Sequence, residues 1–329
     1  MKRKLAFAFL CLFGLLMAAK NGSAAPPETR ASHLDAAAVG MGKVMRLSEY
    51  LNDYPGARTA LSYLKLDREG AEEAADSLDI QARIADRMKR DFWPQIALET
   101  ETLGLAEFRR ELAHPGSLVE RNVRMLARGI ARYQNRGKWF FIRPFSEMND
   151  ATETAPWELG DRARHNTPQD FAAAWKLLRE TFDAEGATNA IFIFSPLAAH
   201  NVHREKEVLT TLNLIPEGSI DAFGLNLYSR PFSAYGGDSQ APIPFRSLAQ
   251  HWIKVLEKSR HRGIPCAIAE MGVSNQATDA ARAKWIHEAF NFARSHHFVM
   301  LTYFNYAHPY WQIPEHTQTS DALAREMRE

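Results

Sequence analysis

Cysteine is the residue type in which this chain is poorest. Its 329 residues include two cysteines, Cys11 and Cys266. Cys11 lies in an N-terminal segment that we predict to be cleaved off, so no intrachain disulfide can form in the remaining chain. A disulfide-stapled scaffold is therefore excluded. With 46% hydrophobic residues, an apolar core must hold the protein together instead.

Long apolar runs are lacking after the N-terminus. The chain begins with the basic segment Met1–Lys4, continues with the apolar run Leu5–Ala19, and reaches the small residues Gly22–Ala25. This order is typical of a secretory signal peptide. We predict that residues 1–25 are a signal peptide and that residues 26–329 form one domain.

Two other readings of the N-terminus are an uncleaved membrane anchor and a lipid anchor on Cys11. The second is weaker, because Ala8-Phe9-Leu10 lacks the small residues that normally precede a lipidated cysteine. No later stretch approaches the ~20 apolar residues of a membrane span. We therefore expect no integral membrane segment after cleavage, and a periplasmic or secreted bacterial protein.

An excess of positive charge is lacking as well. The chain has 40 lysines and arginines against 39 aspartates and glutamates, which gives a formal net charge of +1. Four of the basic residues lie in the predicted signal peptide, so the remaining chain carries 36 against 39 and a net charge of −3. Neither nucleic acid nor an anionic membrane is an expected partner.

Three ligand-binding motifs are absent from the whole sequence. Neither G-x-G-x-x-G nor G-x-x-x-x-G-K-[ST] occurs, which argues against a doubly wound nucleotide-binding sheet. The nucleophile elbow G-x-S-x-G is also missing, which disfavours an esterase. We expect no cofactor.

What the sequence does contain is a repeated order of short apolar strand and amphipathic helix. The apolar runs are continuous rather than alternating, as in strands buried on both faces of a parallel sheet. Strands alternating with helices over this length predict an α/β protein with a single-domain (β/α)₈ barrel. The predicted strands are Val39–Met45, Thr59–Leu66, Pro94–Thr100, Trp139–Phe145, Ala190–Ser195, Ala222–Tyr228, Pro265–Glu270 and Phe298–Phe304.

The predicted helices carry recognisable start and stop signals. Thr167-Pro168 is a good N-cap and first-turn pair, and Gly137, Gly186 and Gly263 stand where helix C-caps belong. The predicted helices are Leu118–Arg136, Thr167–Ala184, Phe245–Arg262 and Ala277–His297.

Polar residues follow the predicted strands, and in a (β/α)₈ barrel the active site lies at these carboxyl ends. The fourth strand is followed by Glu147, and the seventh ends in Glu270. The two carboxylates should face each other across the barrel mouth. Hydrolysis of a glycosidic bond needs such a pair, one to protonate the leaving oxygen and one on the opposite face of the sugar.

Four segments resemble glycoside hydrolase family 26, the β-mannanase-type family. Arg143–Asn149 (RPFSEMN) resembles its strand-four motif, and Ile268–Gly272 (IAEMG) its nucleophile motif on strand seven. Asp221–Tyr228 resembles its strand six, and Ile191–Pro196 its strand five. The resemblance implies that Glu147 is the acid/base, that Glu270 is the nucleophile and that the anomeric configuration is retained.

Residues around the two glutamates are predicted to serve them and the substrate. Tyr228 is placed to donate to Glu270, and Arg143 to hold it anionic; a core tyrosine and a structural ion pair are the alternatives. Trp157, Tyr235 and Tyr310 lie beyond strand ends but are more typical of packing. The predicted substrate-binding residues are Arg143, Ser146, Asn149, His200, Asn201, Asn226, Tyr228, Tyr303, Tyr306 and Trp311.

The sequence departs from the family at two places. Ser146 stands immediately before the acid/base, where the family usually has histidine. The third strand ends in Glu99-Thr100-Glu101, where a family mannanase would offer aromatic and histidine contacts. These departures leave the mechanism intact and put specificity for mannan in question.

Metal does not belong to the predicted chemistry. His200 and His203 have the spacing of two metal ligands, but we do not expect a metal site from this weak pair. We expect a monomer whose partner is a polysaccharide: β-mannan, β-xylan, β-glucan or a bacterial exopolysaccharide. The alternative is an inactive barrel that binds polysaccharide during export or sensing; an exported solute receptor would need two lobes, and no boundary between lobes is visible.

Overall fold

Eight parallel strands pair in sequence order, and the last pairs with the first, so that the sheet closes into a barrel. The computed structural model describes residues 38–42, 56–69, 86, 92–150, 155–159, 164–198, 204–231, 241–305, 311–313 and 316–328, with residues 38–42 described as backbone. The strands are β1 (Ala38–Gly42), β2 (Thr59–Lys65), β3 (Gln95–Glu99), β4 (Phe140–Pro144), β5 (Ala190–Phe194), β6 (Ala222–Ser229), β7 (Cys266–Val273) and β8 (Met300–Phe304).

Helices lie around the barrel between the strands. Those within the described residues are α1 (Leu105–Ala113), α2 (Leu118–Ala131), α3 (Pro168–Ala184), α4 (Glu205–Leu214), α5 (Phe245–Glu257), α6 (Asp279–Ser295) and α7 (Gln318–Glu326). The last of these packs on α6 and follows β8. The predicted (β/α)₈ barrel is confirmed.

The boundaries of α3 follow the predicted capping signals. Thr167 Oγ1 accepts a hydrogen bond from the backbone N–H of Asp170 at 3.1 Å, and Pro168 occupies the first turn. Gly186 follows the helix with a φ value of 77°, a left-handed conformation that a side chain disfavours. The predicted cap Gly263 is wrong, because α5 ends at Glu257 and Gly263 lies in the turn beyond it.

The core has two parts that the closed sheet separates. The larger part fills the space between the strands and the helices and includes the predicted structural tryptophans Trp175, Trp252 and Trp285. The smaller part fills the barrel interior and contains residues such as Phe141, Ile193 and Ala269. Because this inner cluster plugs the barrel, polar side chains above it stand on a packed floor.

Gly224 on β6 makes that floor possible. A Cβ atom at this position would lie 2.5 Å from Cγ2 of Ile193, 3.0 Å from Cβ of Ala269 and 3.1 Å from Cβ of Ser195. Three neighbouring strands therefore approach one another through the space that glycine leaves. The next inward-facing residue on β6 is Asn226, so this packing sets the height of the polar layer.

Other predictions fall outside the described residues. The predicted signal peptide, residues 1–25, is one of them, and with it the division into a signal peptide and one domain stays a prediction. Within the part of the chain that the structure describes, no helix is long and apolar enough to cross a membrane.

We expect the substitution Gly224→Ala to lower the free energy of unfolding by about 1–3 kcal/mol, because an added methyl group overpacks a filled core. Urea denaturation followed by circular dichroism measures this change. Gly129→Ala on α2 is the matched control, since a Cβ there meets no atom within 4 Å and alanine favours a helix by up to about 1 kcal/mol. Equal effects of the two substitutions would contradict this account of the barrel floor.

Candidate active site

A β-bulge in β7 turns Glu270 into the barrel. Ala269 belongs to the inner cluster and Ile268 to the outer one, so strict alternation would point residue 270 outward. However, Leu225 on β6 pairs with Ile268 while the next residue, Asn226, pairs with Glu270. The register to β8 shifts at the same place. One extra residue on β7 thus reverses the alternation and directs the carboxylate inward.

Donors from three different strands hold the carboxylate of Glu270. Arg143 Nη1 donates to Oε1 at 2.7 Å, and the Tyr63 hydroxyl donates to the same oxygen at 2.9 Å. The Tyr228 hydroxyl donates to Oε2. Burial, with the negative charge of Glu270 as the next cause, raises the pKa of both tyrosines, so they keep their protons. Such donors favour the ionised form of a carboxylate and fix its position.

Arg143 connects this carboxylate to its surroundings. Its side chain is fully buried, Nε donates to Ser195 Oγ at 3.3 Å, and Nη2 donates to Asn226 Oδ1 at 2.9 Å. Nη1 also lies 3.5 Å from the carbonyl oxygen of Ala269, which accepts a second bond from Gln95 Nε2 at 2.9 Å. The bulge therefore supplies both the inward glutamate and a backbone acceptor beside its arginine.

Asn226 carries the connection on to Glu147. Its Oδ1 accepts from Arg143, so Nδ2 must point the other way, and it donates to Glu147 Oε1 at 2.8 Å. The amide cannot rotate by half a turn without placing its NH₂ group against the guanidinium. Since Oε1 of Glu147 accepts this bond, a proton on Glu147 belongs on Oε2.

The backbone that carries Glu147 is strained. Phe145 and Glu147 have φ values of 50° and 60°, which disfavour residues other than glycine. Two bonds hold the segment: the N–H of Glu147 donates to the carbonyl oxygen of Ser195 at 2.9 Å, and Trp157 Nε1 donates to that of Ser146 at 2.8 Å. Backbone strain of this kind clusters at functional sites.

The electrostatics of the site keep Glu147 protonated. Burial raises its pKa to about 8, and the negative charge of Glu270 adds to the rise. The hydrogen bond from Asn226 and the charge of Arg143 oppose this shift without cancelling it. A group with this pKa can donate a proton near neutral pH.

The arrangement joins two carboxyl groups in one hydrogen-bonded network through Arg143 and Asn226. Glu147 supplies a proton from the end of β4, and Glu270 supplies a carboxylate from β7, held by three donors. Environments that separate two carboxyl groups in this way assign one as acid and the other as base or nucleophile. The site is therefore suited to cleave a bond whose leaving atom needs a proton.

Solved structures that superpose on this chain include family 26 glycoside hydrolase domains. The family 26 domain of a Prevotella bryantii endo-β-mannanase/endo-β-glucanase superposes with a TM-score of 0.59 over 90% of this chain and 89% of that domain, at 13% identity. The catalytic domain of a Bacillus sp. JAMB-750 family 26 endo-β-1,4-mannanase gives a TM-score of 0.60 over 90% and 86%, also at 13% identity. The fold is that of glycoside hydrolase family 26.

Sequence comparison finds a relative that matches part of this chain. Endoglucanase H of Acetivibrio thermocellus is 26% identical over 162 residues. The match spans 48% of this chain and 16% of the length of that endoglucanase. No protein-family profile matches the chain.

The barrel brings five of the predicted site residues together. Arg143, Asn226 and Tyr228 link or touch the side chains of Glu147 and Glu270. Arg143 and Asn226 are fully buried and contact the two carboxyl groups. Direct contact of either with a sugar stays a prediction.

Two further predicted residues lie beside this group. The ring of Trp311 packs on that of Tyr228, with centroids 4.8 Å apart. A Cβ at Gly272 would lie 3.0 Å from the Tyr228 ring and 3.3 Å from that of Trp311, so glycine leaves room for both. Ser146 precedes Glu147, and its carbonyl oxygen accepts a hydrogen bond from Trp157 Nε1. Substrate contact by Ser146, Tyr228 and Trp311 stays a prediction.

Two other predicted substrate contacts are buried and bonded within the protein, and their contact with substrate stays a prediction. Asn149 is fully buried, and its amide exchanges two hydrogen bonds with the backbone of Leu197, at 3.0 and 2.8 Å. It ties the end of β4 to that of β5. Tyr303 is also fully buried, and its hydroxyl donates to the carbonyl oxygen of Trp311 at 3.3 Å. The predicted contacts His200, Asn201 and Tyr306 lie outside the described residues.

Sequence reasoning missed Tyr63, which donates directly to Glu270. It lies within β2 rather than after it, and only strand ends were searched. The signal was the alternation on β2, which places Leu61, Tyr63 and Lys65 on one face. Gln95, which donates to the carbonyl oxygen of Ala269 at the bulge, also lies within the predicted third strand. Ser195, which accepts from Arg143, was missed although it ends the predicted fifth strand.

A metal centre was not expected, and within the described ranges no group of three or more histidine, cysteine, aspartate or glutamate side chains could hold an ion. The predicted weak pair His200 and His203 falls outside those ranges.

The raised pKa of Glu147 predicts a pH-dependent stability effect of Glu147→Gln. The ordinary pKa is 4.5 and the folded value about 8, so between these values the folded state binds more protons and loses stability as pH rises. Glutamine removes that loss. We expect the variant to match the wild type near pH 5 and to exceed it by up to several kcal/mol near pH 9, at about 1.4 kcal/mol per pKa unit.

Chemical denaturation at both pH values measures this difference. Glu101→Gln serves as the control, because the Glu101 side chain is 50% exposed and its substitution should leave the pH dependence of the wild type unchanged. A Glu147→Gln effect of the same size at both pH values would contradict the raised pKa.

Proposed function

We propose that this protein is a retaining glycoside hydrolase that cuts within a β-linked polysaccharide, with Glu147 as acid/base and Glu270 as nucleophile. The observation that carries the proposal is the chain of contacts from Glu270 through Arg143 and Asn226 to Glu147. It links the carboxylate held by three donors to a second carboxyl group whose pKa burial raises to about 8. The fold shared with family 26 mannanase domains supports the same reaction.

In the first step Glu147 gives its proton to the glycosidic oxygen, and Glu270 attacks the anomeric carbon as the bond to that oxygen breaks. Oε1 of Glu270 accepts from Arg143 and Tyr63, whereas Oε2 accepts from Tyr228. Oε2 is the less committed atom and forms the new bond. Oε1 becomes the carbonyl oxygen of the glycosyl ester and keeps its two donors.

In the second step water attacks the anomeric carbon, Glu147 takes its proton, and the carboxylate of Glu270 leaves. The ester has no negative charge, so one of the causes that raise the pKa of Glu147 disappears. Its pKa falls, and the same group becomes a better base. The charge interaction between the two carboxyl groups thus lets one residue serve as acid and then as base.

The substrate is a β-mannan, β-xylan, β-glucan or bacterial exopolysaccharide that the protein meets in the periplasm or outside the cell. The named neighbours act on mannan and glucan. Ser146 is smaller than a histidine and has no ring to lie against the sugar. We therefore expect linear β-1,4-mannan to be a poor substrate, by about 10–200-fold in kcat/KM if one transition-state contact of ~1–3 kcal/mol is lost.

The test is reducing-end release on a panel of plant β-glycans and bacterial exopolysaccharides, with two variants. Glu270→Ala should abolish turnover of every substrate, because no glycosyl ester can form. Glu147→Ala should spare dinitrophenyl glycosides, whose leaving group needs no proton, and lose activity on the natural glycan.

Azide distinguishes the two roles further. It should restore Glu147→Ala and give a glycosyl azide of retained configuration, whereas with Glu270→Ala the azide product is inverted. Full activity of either variant on the natural glycan would refute the assignment, and wild-type preference for linear mannan would refute the argument from Ser146.

A further inference from the structure

The face of β2 that lines the barrel mouth presents an aromatic ring to solvent. Tyr63 is 47% exposed although its hydroxyl is bonded to Glu270. The hydroxyl end reaches down to the nucleophile, so the exposed part is the ring. An exposed ring fixed above a catalytic carboxylate can lie against the C–H face of a sugar.

One step further along the same face stands an ion pair. Lys65 on β2 lies directly opposite Glu99 on β3 in the sheet register, and Nζ is 2.6 Å from Oε2. The Lys65 side chain is 36% exposed and that of Glu99 is 11% exposed. Glu99 lies near enough to Glu270 and Arg143 for their charges to act on it. The pair therefore lies near the proposed nucleophile, on the same face of the sheet as Tyr63.

The ring of Trp157 also contacts the ammonium group of Lys65. The ammonium lies 5.2 Å from the centre of the Trp157 ring, and that ring is anchored by its bond to the carbonyl oxygen of Ser146. The lysine is thus held between a carboxylate and an aromatic ring, and its remaining freedom is toward the exposed side. Because the Lys65 side chain is partly exposed, this fixed pair is open to a ligand from that side.

Each positive charge near this face of β2 and β3, called here the β2–β3 wall, is already paired with a carboxylate. Lys65 faces Glu99, and Arg143 faces Glu270. A carboxylated sugar would have to compete with Glu99 for the lysine and would lie near the charge of Glu270. A neutral sugar meets no such penalty: one hydroxyl can accept from the ammonium, while the adjacent hydroxyl donates to the carboxylate.

We propose that Lys65 and Glu99 form a specificity-determining pair that binds two adjacent free hydroxyls of an uncharged pyranose unit, whose ring lies on Tyr63. The pair discriminates against uronic acids at this position. This inference rests on the proposed glycosidase function and adds to it the chemical class of sugar that the β2–β3 wall accepts.

Binding of matched neutral and acidic oligosaccharides tests the proposal. The probes are β-1,4-mannohexaose with its C6-oxidised counterpart, the hexamer of β-1,4-mannuronate, and cellohexaose with the hexamer of β-1,4-glucuronate. Dissociation constants are measured calorimetrically in the full chain carrying Glu147→Gln, so that the probes are not consumed. In the protein that retains Glu99, at least one neutral hexasaccharide should bind more tightly than the uronate hexamer matched to it.

Glu99→Gln should reverse that preference. Glutamine removes the charged acceptor, so neutral binding weakens by about tenfold. It also leaves the charge of Lys65 uncompensated, which strengthens uronate binding by about tenfold across a few ångströms. Lys65→Gln should instead lower binding of both probe types, and the double variant should show no gain for the uronate.

Glu101→Gln is the matched control, since it makes the same substitution two residues on, in a side chain that pairs with Arg68 at 3.7 Å. Its ratio of neutral to acidic binding should equal that of the unsubstituted site. Unfolding temperatures of all variants verify that they fold.

Two results would overturn the proposal: preference of the unsubstituted site for the uronate hexamers, or binding that persists in Glu99→Gln with an unchanged ratio. If either result is found while the wild type still hydrolyses a neutral glycan, the glycosidase function is retained and the role of Lys65 and Glu99 is rejected. Absence of both binding and turnover on every glycan rejects the two together.

Discussion

The buried ion pair between Arg143 and Glu270 is the interaction on which the rest of the site depends. The guanidinium has no contact with water, so its charge is tolerable only beside the carboxylate, and removal of either partner from such a pair costs about 3–5 kcal/mol. The remaining nitrogens of Arg143 orient Asn226 and contact Ser195. Through Asn226 the same arginine determines which oxygen of Glu147 can carry a proton. The stability of the site and the protonation of Glu147 therefore both depend on the position of Arg143.

The barrel holds several features that would each be unfavourable alone. Phe145 and Glu147 have left-handed backbone conformations, β7 carries an extra residue, and Glu147 has a pKa of about 8. Each is offset by a contact with a neighbouring strand, such as the bond from Glu147 N–H to Ser195. The inner cluster beneath, with Gly224 at its tightest point, gives these contacts a rigid base. Loss of stability at the active site is thus compensated by the barrel around it.

The sequence was sufficient for the barrel, because continuous apolar runs mark buried parallel strands. It also drew attention to Glu147 and Glu270 at the ends of two such runs, whose catalytic roles stay a prediction. It could not tell which side of the sheet a strand-end residue faces. Asn149 and Tyr303 were placed in the site for that reason, although both are buried within the protein. The inward turn of Glu270 depends on a register shift against two partner strands, and no pattern within β7 reveals it. Tyr63 was missed because its role comes from a contact 207 residues away in sequence.

Covalent trapping tests the central claim, the division of roles between the two glutamates, most directly. Fluorinated sugars with a good leaving group, the 2-deoxy-2-fluoro glucosides, mannosides and xylosides of dinitrophenol, form a glycosyl ester that hydrolyses slowly. Peptide mass mapping after incubation should place the sugar on Glu270, and Glu147→Ala should still become labelled at the same residue. A sugar attached to any other residue, or dinitrophenol release without a covalent adduct, would contradict the assignment of Glu270 as nucleophile.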